Sequence, residues 1–275
     1  MADTCRLDAY LVAHGHAGGR EKAKELLLTG AVSVNGKAVY KPSFPVRDGD
    51  AVVCTAPKPR YVGRGGYKLE KALSYGDIDV SGCVCMDIGA STGGFTDCLL
   101  QNGAKHVYAV DVGHGQLHPS LLTDTRVTSL ENTDIRSDAL NDVISAESVD
   151  FACVDVSFVS LRVVLPYILP YLRDDAWLVC LIKPQFEAGR SAIGKKGIVK
   201  DVTVHKSVLR EMTAFFTAEV GVVEWITWSP ITGGEGNIEY LASIRCHTDS
   251  TPALIDTDEI VQQAREFFKK SKEVK

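Results

Sequence analysis

Val84-Cys85-Met86-Asp87-Ile88-Gly89-Ala90-Ser91-Thr92-Gly93-Gly94-Phe95 decides the fold. A short apolar run ends in an acid and passes into a loop of small residues. Phe95 to Leu100 then starts a helical pattern. The stretch therefore reads as strand, glycine turn and helix. In an open α/β sheet, ligands lie past the carboxyl ends of the strands, over such a loop. Glycines let the backbone approach the ligand, and the helix N-terminus offers N–H groups.

The spacing is Asp87-x-Gly89-x-x-x-Gly93-Gly94, which lacks the Gly-x-Gly-x-x-Gly triplet of dinucleotide sites. A nicotinamide oxidoreductase is thereby disfavoured. An acid ahead of the first glycine suits a cationic ligand, and S-adenosylmethionine carries a sulfonium and an ammonium. The next strand, His106 to Val110, ends in Asp111, placed to accept hydrogen bonds from ribose hydroxyls. Asn132-Thr133-Asp134 follows a further strand, at the place where such folds hold an adenine. A tight turn in any α/β domain is the alternative reading of the glycine loop alone.

Outward from this core the rhythm continues. Val149 to Val156 and Trp177 to Ile182 are apolar runs of buried parallel strands, ending near Asp155 and at Lys183. Val163 to Leu172 and Asp201 to Ala218 have helical spacing, and Thr257 to Lys270 is an amphipathic helix. Val222 to Ser229 and Ile238 to Arg245 read as antiparallel partners. The sum is a doubly wound sheet. Gln185 to Lys200 is a glycine-punctuated loop carrying Arg190, Lys195 and Lys196, suited to closing over an anionic substrate or serving as an ordinary surface loop.

The front of the chain differs. Cys5 to Ala13 and Arg20 to Thr29 read as short helices, with Gly30 as a C-cap. Ala31 to Val39 alternates around Asn35-Gly36, a strong hairpin signal, and Ala51 to Cys54 is a last strand. Ala56 to Val62 is a proline-punctuated linker, after which Tyr67 to Leu73 reads as a helix with Lys68 in its first turn. A cation there opposes the helix dipole. The net charge of −5 hides an asymmetry: residues 1–68 carry +5 and residues 69–275 carry −10. A basic front suggests a polyanion-binding surface.

The eight cysteines form no Cys-x-x-Cys pair, so neither zinc nor a disulfide framework is expected. No run of 18 apolar residues and no secretory h-region occur, so a cytoplasmic protein without a membrane span is expected.

Residues 5–55 resemble the S4 RNA-binding domain, through Arg6-Leu7-Asp8, Arg20 with Ala23 and Leu26-Leu27, Gly30-Ala31-Val32, Val34-Asn35-Gly36-Lys37 and Gly49-Asp50. The resemblance implies phosphate contacts at Arg6, Arg20, Lys22, Lys24 and Lys41. Lys68, Asp155, Lys183 and Glu239 around the glycine loop resemble the catalytic tetrad of the FtsJ-type ribose 2′-O-methyltransferases. The strings Asp87 to Thr96, Val154 to Phe158, Lys183 to Glu187 and Gly236 to Tyr240 carry that likeness. An S4 domain ahead of such a domain is the arrangement of the TlyA family, some of whose members were first named haemolysins.

The implied architecture is a doubly wound, Rossmann-like methyltransferase sheet over residues 63–275, a linker at 59–62 and a small α+β S4 domain over 1–58. The implied activity is methylation of ribosomal RNA, 16S, 23S or both, on ribosomal subunits. Lys183 would hold or deprotonate the hydroxyl, Lys68 would supply positive charge, Asp155 would orient Lys183, and Glu239 would fix Lys68 and the ribose. S-adenosylmethionine would be held by Asp87, Gly89, Ala90, Ser91, Thr92, Gly93, Gly94, Phe95, Asp111 and Asp134. Arg64, Arg190, Lys195 and Lys196 join the RNA-contacting set, and no metal is implied. His16, Gly18 and Tyr61 depart from the pattern of the family and leave target choice open. A non-catalytic RNA-binding protein and a membrane-active haemolysin are the rival readings.

Overall fold

A computed structural model describes residues 4–56, 59–189, 192–194, 197–248, 251 and 253–273. Two compact units divide between Gly63 and Arg64. Of the proline-punctuated linker, Pro57 and Lys58 lie outside the described residues.

In the first unit, strand β1 (Thr4–Arg6) leads into helix α1 (Leu7–Ala13), followed by α2 (Arg20–Leu28). Strands β2 (Val32–Val34), β3 (Lys37–Ala38), β4 (Pro45–Arg47) and β5 (Val52–Cys54) complete it. Leu7, Leu11, Ala23 and Leu27 bury the inner helical faces against Val32, Val34 and Val46. Asn35 and Gly36, with φ of 50° and 78°, make the tight turn between β2 and β3 that an Asn-Gly pair favours. The first helix starts later than its apolar spacing suggests. Cys5 and Arg6 pair with Val46 and Pro45 in an antiparallel ribbon, and Leu7 N–H donates to Phe44 O at 2.8 Å. Pro45 masks its own strand in the sequence, because a residue without an N–H is a poor strand signal.

The second unit opens with α3 (Gly65–Tyr75), β6 (Val84–Ile88), α4 (Gly94–Gln101), β7 (His106–Val110), α5 (Pro119–Leu122) and β8 (Val127–Leu130). Then come β9 (Val149–Val154), α6 (Leu161–Val164), β10 (Leu172–Ile182) and α7 (Pro184–Glu187). It closes with α8 (Val202–Glu219), β11 (Gly221–Trp228), β12 (Tyr240–Cys246) and α9 (Thr257–Glu273). Seven strands form one sheet in the order β11-β12-β10-β9-β6-β7-β8. The five from β10 to β8 are parallel, and β12 and β11 run antiparallel at one edge.

The predicted helix over Val163 to Leu172 is broken. It is α6 followed by two 3-10 turns, Leu165–Tyr167 and Leu169–Tyr171. Pro166 and Pro170 remove the amides that a continuous helix needs. The sheet is covered on one side by α8, whose Leu209, Met212 and Phe216 share one buried cluster with the strand residues Cys180, Ile182 and Tyr240. The tail helix α9 packs on this unit: Val261 and Ala264 are buried, and Asp258 pairs with Lys206 and Arg210. Among the described residues no helix is long and apolar enough to cross a membrane.

The order of the strands locates the site. The chain runs outward from β6 to β7 and β8, then crosses back to β9 on the other side of β6. That reversal opens a crevice at the carboxyl ends of β6 and β9, the place where open α/β sheets bind ligands.

Candidate active site

At the end of β6 the chain turns through left-handed Gly89 (φ 84°), Ser91 (φ 50°) and Gly93 (φ 90°) before α4 begins. Gly89 must lack a side chain, since a Cβ there would lie 2.6 Å from Asp155 O. The N–H groups of Gly89 and Ala90 donate to Val110 O at 2.9 and 3.2 Å, which pins the loop to β7. Asp111 adds a second tie: it accepts from Ser91 N–H and Gly113 N–H, each at 2.7 Å.

Asp87 is fully buried behind the loop and accepts from Thr96 N–H at 2.9 Å and Thr96 Oγ1 at 2.7 Å. Burial pushes its carboxyl up to about 7, against the partial relief of the two Thr96 bonds. Its Oδ1 has no hydrogen-bond partner among the described residues.

The loop forms one wall of a cavity of about 1000 Å³. Gly89, Ala90, Ser91, Thr92, Gly94 and Phe95 line it, and so do Lys68, Asp155, Lys183 and Glu239. Four separate elements bring those charges together. Lys68 comes from the first turn of α3, Asp155 follows β9, Lys183 follows β10, and Glu239 precedes β12.

Lys68 Nζ donates to Asp155 Oδ2 at 3.1 Å and Glu239 Oε2 at 2.9 Å. Lys183 Nζ lies 2.6 Å from Asp155 Oδ1 and donates to Ser157 Oγ at 3.0 Å. Lys68, Lys183 and Glu239 are 8%, 7% and 2% exposed. Charged groups so buried are tolerated only when paired. Here the side chains of two lysines meet those of two acids.

Burial opposes the charge on Lys68, yet Asp155 and Glu239 outweigh it, and its ammonium lies above the usual lysine range. Burial likewise opposes the charge on Asp155, and Lys68 and Lys183 outweigh it, holding the carboxyl below its usual range. These two partners stay charged at neutral pH. The pairing also explains how a cation tolerates the first turn of a helix.

Residues 61–246 match the FtsJ-like methyltransferase family and residues 5–52 match the S4 domain. The 16S/23S rRNA (cytidine-2′-O)-methyltransferase TlyA of Mycobacterium tuberculosis is 40% identical over 96% of this chain and 98% of its own. The 23S rRNA (cytidine-2′-O)-methyltransferase TlyA of Campylobacter jejuni is 35% identical over 80% of this chain and 92% of its own. A solved structure titled "Putative hemolysin from Streptococcus thermophilus" superposes with a TM-score of 0.77 at 43% identity, covering 99% of this chain and 100% of that one. The chain belongs to the TlyA family of FtsJ-like methyltransferases.

Not every sequence-predicted residue of this TlyA-family chain faces the cavity. Asp87, Gly93, Asp111 and Asp134 are absent from its lining. Asp134 is held by Arg136 through Nε at 2.9 Å and Nη2 at 2.5 Å, and that pairing brings its carboxyl down to about 2. The acids of this region brace the backbone, while the small loop residues make the wall.

The donor set still fits S-adenosylmethionine. The loop is walled by glycine, alanine and serine, so the backbone is open to close approach, and α4 starts at Gly94 beside it. Asp87 Oδ1 is an orphaned acceptor directly behind the same loop.

The expected RNA contacts are spread over both units. In the first, Arg20 and Lys41 are exposed. Arg6 forks onto buried Asp8 at 3.0 and 2.7 Å, Lys24 pairs with Glu21 at 2.5 Å, and Lys22 pairs with Glu25. In the second, exposed Arg64 lines the cavity. Arg190, Lys195 and Lys196 lie outside the described residues.

Several cavity residues carry no sequence signal of their own. Ser157 holds Lys183, and Gln185 Nε2 reaches Glu239 Oε1 at 3.4 Å. Phe158 is 91% exposed with its ring 5.1 Å from Phe186. Gly233 lies so near Glu239 that a Cβ there would overlap Oε1. Asn237 lines the cavity, accepts from Val199 N–H at 3.0 Å and donates to Gly197 O at 2.9 Å. All are in or beside the quoted strings, but only a fold puts strings 80 residues apart into contact.

Proposed function

We propose that this protein methylates a ribose 2′-hydroxyl of ribosomal RNA with S-adenosylmethionine, the S4 domain docking the RNA. The observation that carries the reading is the Lys68–Asp155–Lys183–Glu239 network in the wall of the same cavity as the Gly89–Phe95 loop. The substrate class follows from the relatives, whose names give cytidine 2′-O-methylation of ribosomal RNA. Asp87, Gly89, Ala90, Ser91, Thr92, Gly93, Gly94, Phe95, Asp111 and Asp134 are the proposed cofactor-holding set, six lining the cavity and four bracing or flanking it.

A 2′-hydroxyl is a weak acid and a poor nucleophile until its oxygen is oriented and its proton has somewhere to go. Lys183 is the group proposed to hold that oxygen or take that proton. Asp155 fixes Lys183 from one side and is itself fixed by Lys68. Lys68 stays an ammonium and offsets the charge of the two acids. Glu239 anchors Lys68 through Oε2, and as a residue of the cavity wall it is the proposed partner of the ribose. S-adenosylmethionine held over the Gly89–Phe95 loop would supply an electrophilic methyl group. The protein's share is largely positioning, because an in-line transfer needs oxygen, carbon and sulfur aligned. Phe158 and Phe186 offer an apolar platform at the mouth, fitted to stack a base.

The test is transfer of labelled methyl from S-adenosylmethionine to small subunits, large subunits and naked ribosomal RNA, wild type beside Lys183→Ala. Label with wild type and a fall of about 10²–10⁴-fold in the variant are expected, the usual range for a general acid–base group. Cofactor affinity, read by calorimetry, is expected to be kept. Full turnover by the variant would refute the assignment. The labelled subunit sets the 16S or 23S specificity.

A further inference from the structure

We infer that Ser157 is a positioning residue for Lys183, fixing which corner of its amine is presented to the substrate. The inference rests on the proposed role of Lys183. An amine nitrogen has three corners besides its carbon. Asp155 Oδ1 lies against one as an ion-pair partner at 2.6 Å, and Ser157 Oγ accepts from a second at 3.0 Å. The Phe186 ring centroid is 5.8 Å from the same nitrogen and is a weak π partner at that distance. One corner remains for the cavity that Lys183 lines.

Asp155 alone does not select that corner. As an ammonium, Lys183 held at a single point leaves two N–H groups sharing the remaining space. As an amine, it leaves its lone pair in either of two corners. A second acceptor removes the ambiguity in both forms. With Asp155 and Ser157 each accepting an N–H, the third corner carries either the N–H that holds the 2′-oxygen or the lone pair that receives its proton. As the oxygen pair forms the new O–C bond, that proton passes to the third corner.

The local backbone supports the placement. Asp155 N–H donates to Ile88 O at 3.0 Å, so the chain leaves β9 along the sheet before it turns. The turn comes at Phe158, whose φ of 65° is a left-handed value that strains a non-glycine residue. The surrounding structure imposes that strain just past Ser157, and the hydroxyl is delivered beside Lys183 Nζ. Strain of this kind points from geometry toward function.

The test compares Ser157→Ala, Ser157→Thr and Lys183→Ala with wild type in steady-state methyl transfer to the RNA substrate, with calorimetric S-adenosylmethionine binding and thermal unfolding alongside. Ser157→Ala is expected to lower kcat about tenfold, the effect of losing one hydrogen bond that holds Lys183 in its transferring orientation. Its KM for RNA, its cofactor affinity and its Tm stay at the wild-type values. Ser157→Thr, which keeps the hydroxyl, restores most of the rate.

A wild-type kcat in Ser157→Ala beside an inactive Lys183→Ala would overturn this inference and leave the proposed function standing. A loss that appears in KM or cofactor affinity rather than kcat, or one that threonine does not rescue, would also overturn it. Absence of transfer by wild type, or full transfer by Lys183→Ala, would instead overturn the functional reading itself.

Discussion

Replacing Lys68 by methionine removes the cation that two carboxylates share and keeps most of the side-chain volume. The attraction of Lys68 for Glu239 at 2.9 Å is about 6 kcal/mol in a medium of effective dielectric about 20, and for Asp155 at 3.1 Å about 5 kcal/mol. The cost of burying the three charges offsets much of this. Asp155 keeps Lys183 as a partner, whereas among the described residues the Glu239 side chain is left with only the 3.4 Å contact from Gln185. Breaking a buried pair from one side costs about 3–5 kcal/mol, because a charge stays buried without its partner. Lys68→Met is therefore expected to lower the unfolding free energy by that amount.

Glu239→Gln should cost less, about 1–2 kcal/mol, as an amide still accepts a bond from Lys68. The double variant Lys68→Met/Glu239→Gln buries no unpaired carboxylate. It should be more stable than Lys68→Met alone by about 2 kcal/mol, although it carries one change more. Urea unfolding of the four proteins measures the cycle, and methyl transfer should be lost wherever Lys68 is lost. Additive stability losses, with the double variant the least stable, would refute the claim that Lys68 and Glu239 are a desolvated pair.

Four further outcomes are expected. Gly89→Ala forces a left-handed alanine against the Asp155 carbonyl, and both S-adenosylmethionine binding and transfer should fail, as calorimetry and labelled-methyl assays would report. Gly233→Ala displaces the Glu239 carboxylate, so kcat should fall while cofactor affinity stays, a split that steady-state kinetics resolves. Asp87 is raised in the folded state, so its stabilising share is complete below about 4 and is lost as pH rises through about 7. Asp87→Asn should accordingly gain on wild type by a few kcal/mol between pH 5 and pH 8 in urea titrations, since each tenfold rise in proton affinity on folding is worth about 1.4 kcal/mol. Arg136→Ala releases the Asp134 carboxylate from the guanidinium, and the affinity for S-adenosylmethionine, read by calorimetry, should rise as that carboxylate becomes available to the cofactor.

Much of the architecture was legible because its signals are local. Asn35-Gly36 specifies a turn by the φ values it tolerates, and β7 matches the apolar run His106–Val110 residue for residue. The strands β9 and β10 read as unbroken apolar runs because both faces of a central parallel strand are buried. The errors share another cause. Pro45 disguised β4, whose partner β1 lies some 40 residues away. Pro166 and Pro170 sit at helical spacing among apolar residues, so periodicity pointed to a helix that the missing amides prevent.

The candidate site separates along the same line. Residue type and strand-end position brought Asp155 and Lys183 to one edge, and the fold joins them at 2.6 Å. The partners of the acids around the glycine loop were not legible. A carboxylate at a strand end is read as facing a ligand, yet it accepts equally well from a backbone N–H. Asp87 commits one oxygen to Thr96, and Asp111 commits both to Ser91 and Gly113. The division has a physical logic. A loop that holds a ligand through its backbone must be stiff before the ligand arrives, or binding has to supply the ordering entropy. Acids that tie Ser91, Gly113 and Thr96 provide that stiffness, and the glycines provide the close approach. Removing one tie should therefore slow no proton transfer. It should weaken cofactor binding and raise the mobility of the loop, which hydrogen exchange at Ser91 and Gly113 in Asp111→Ala would register.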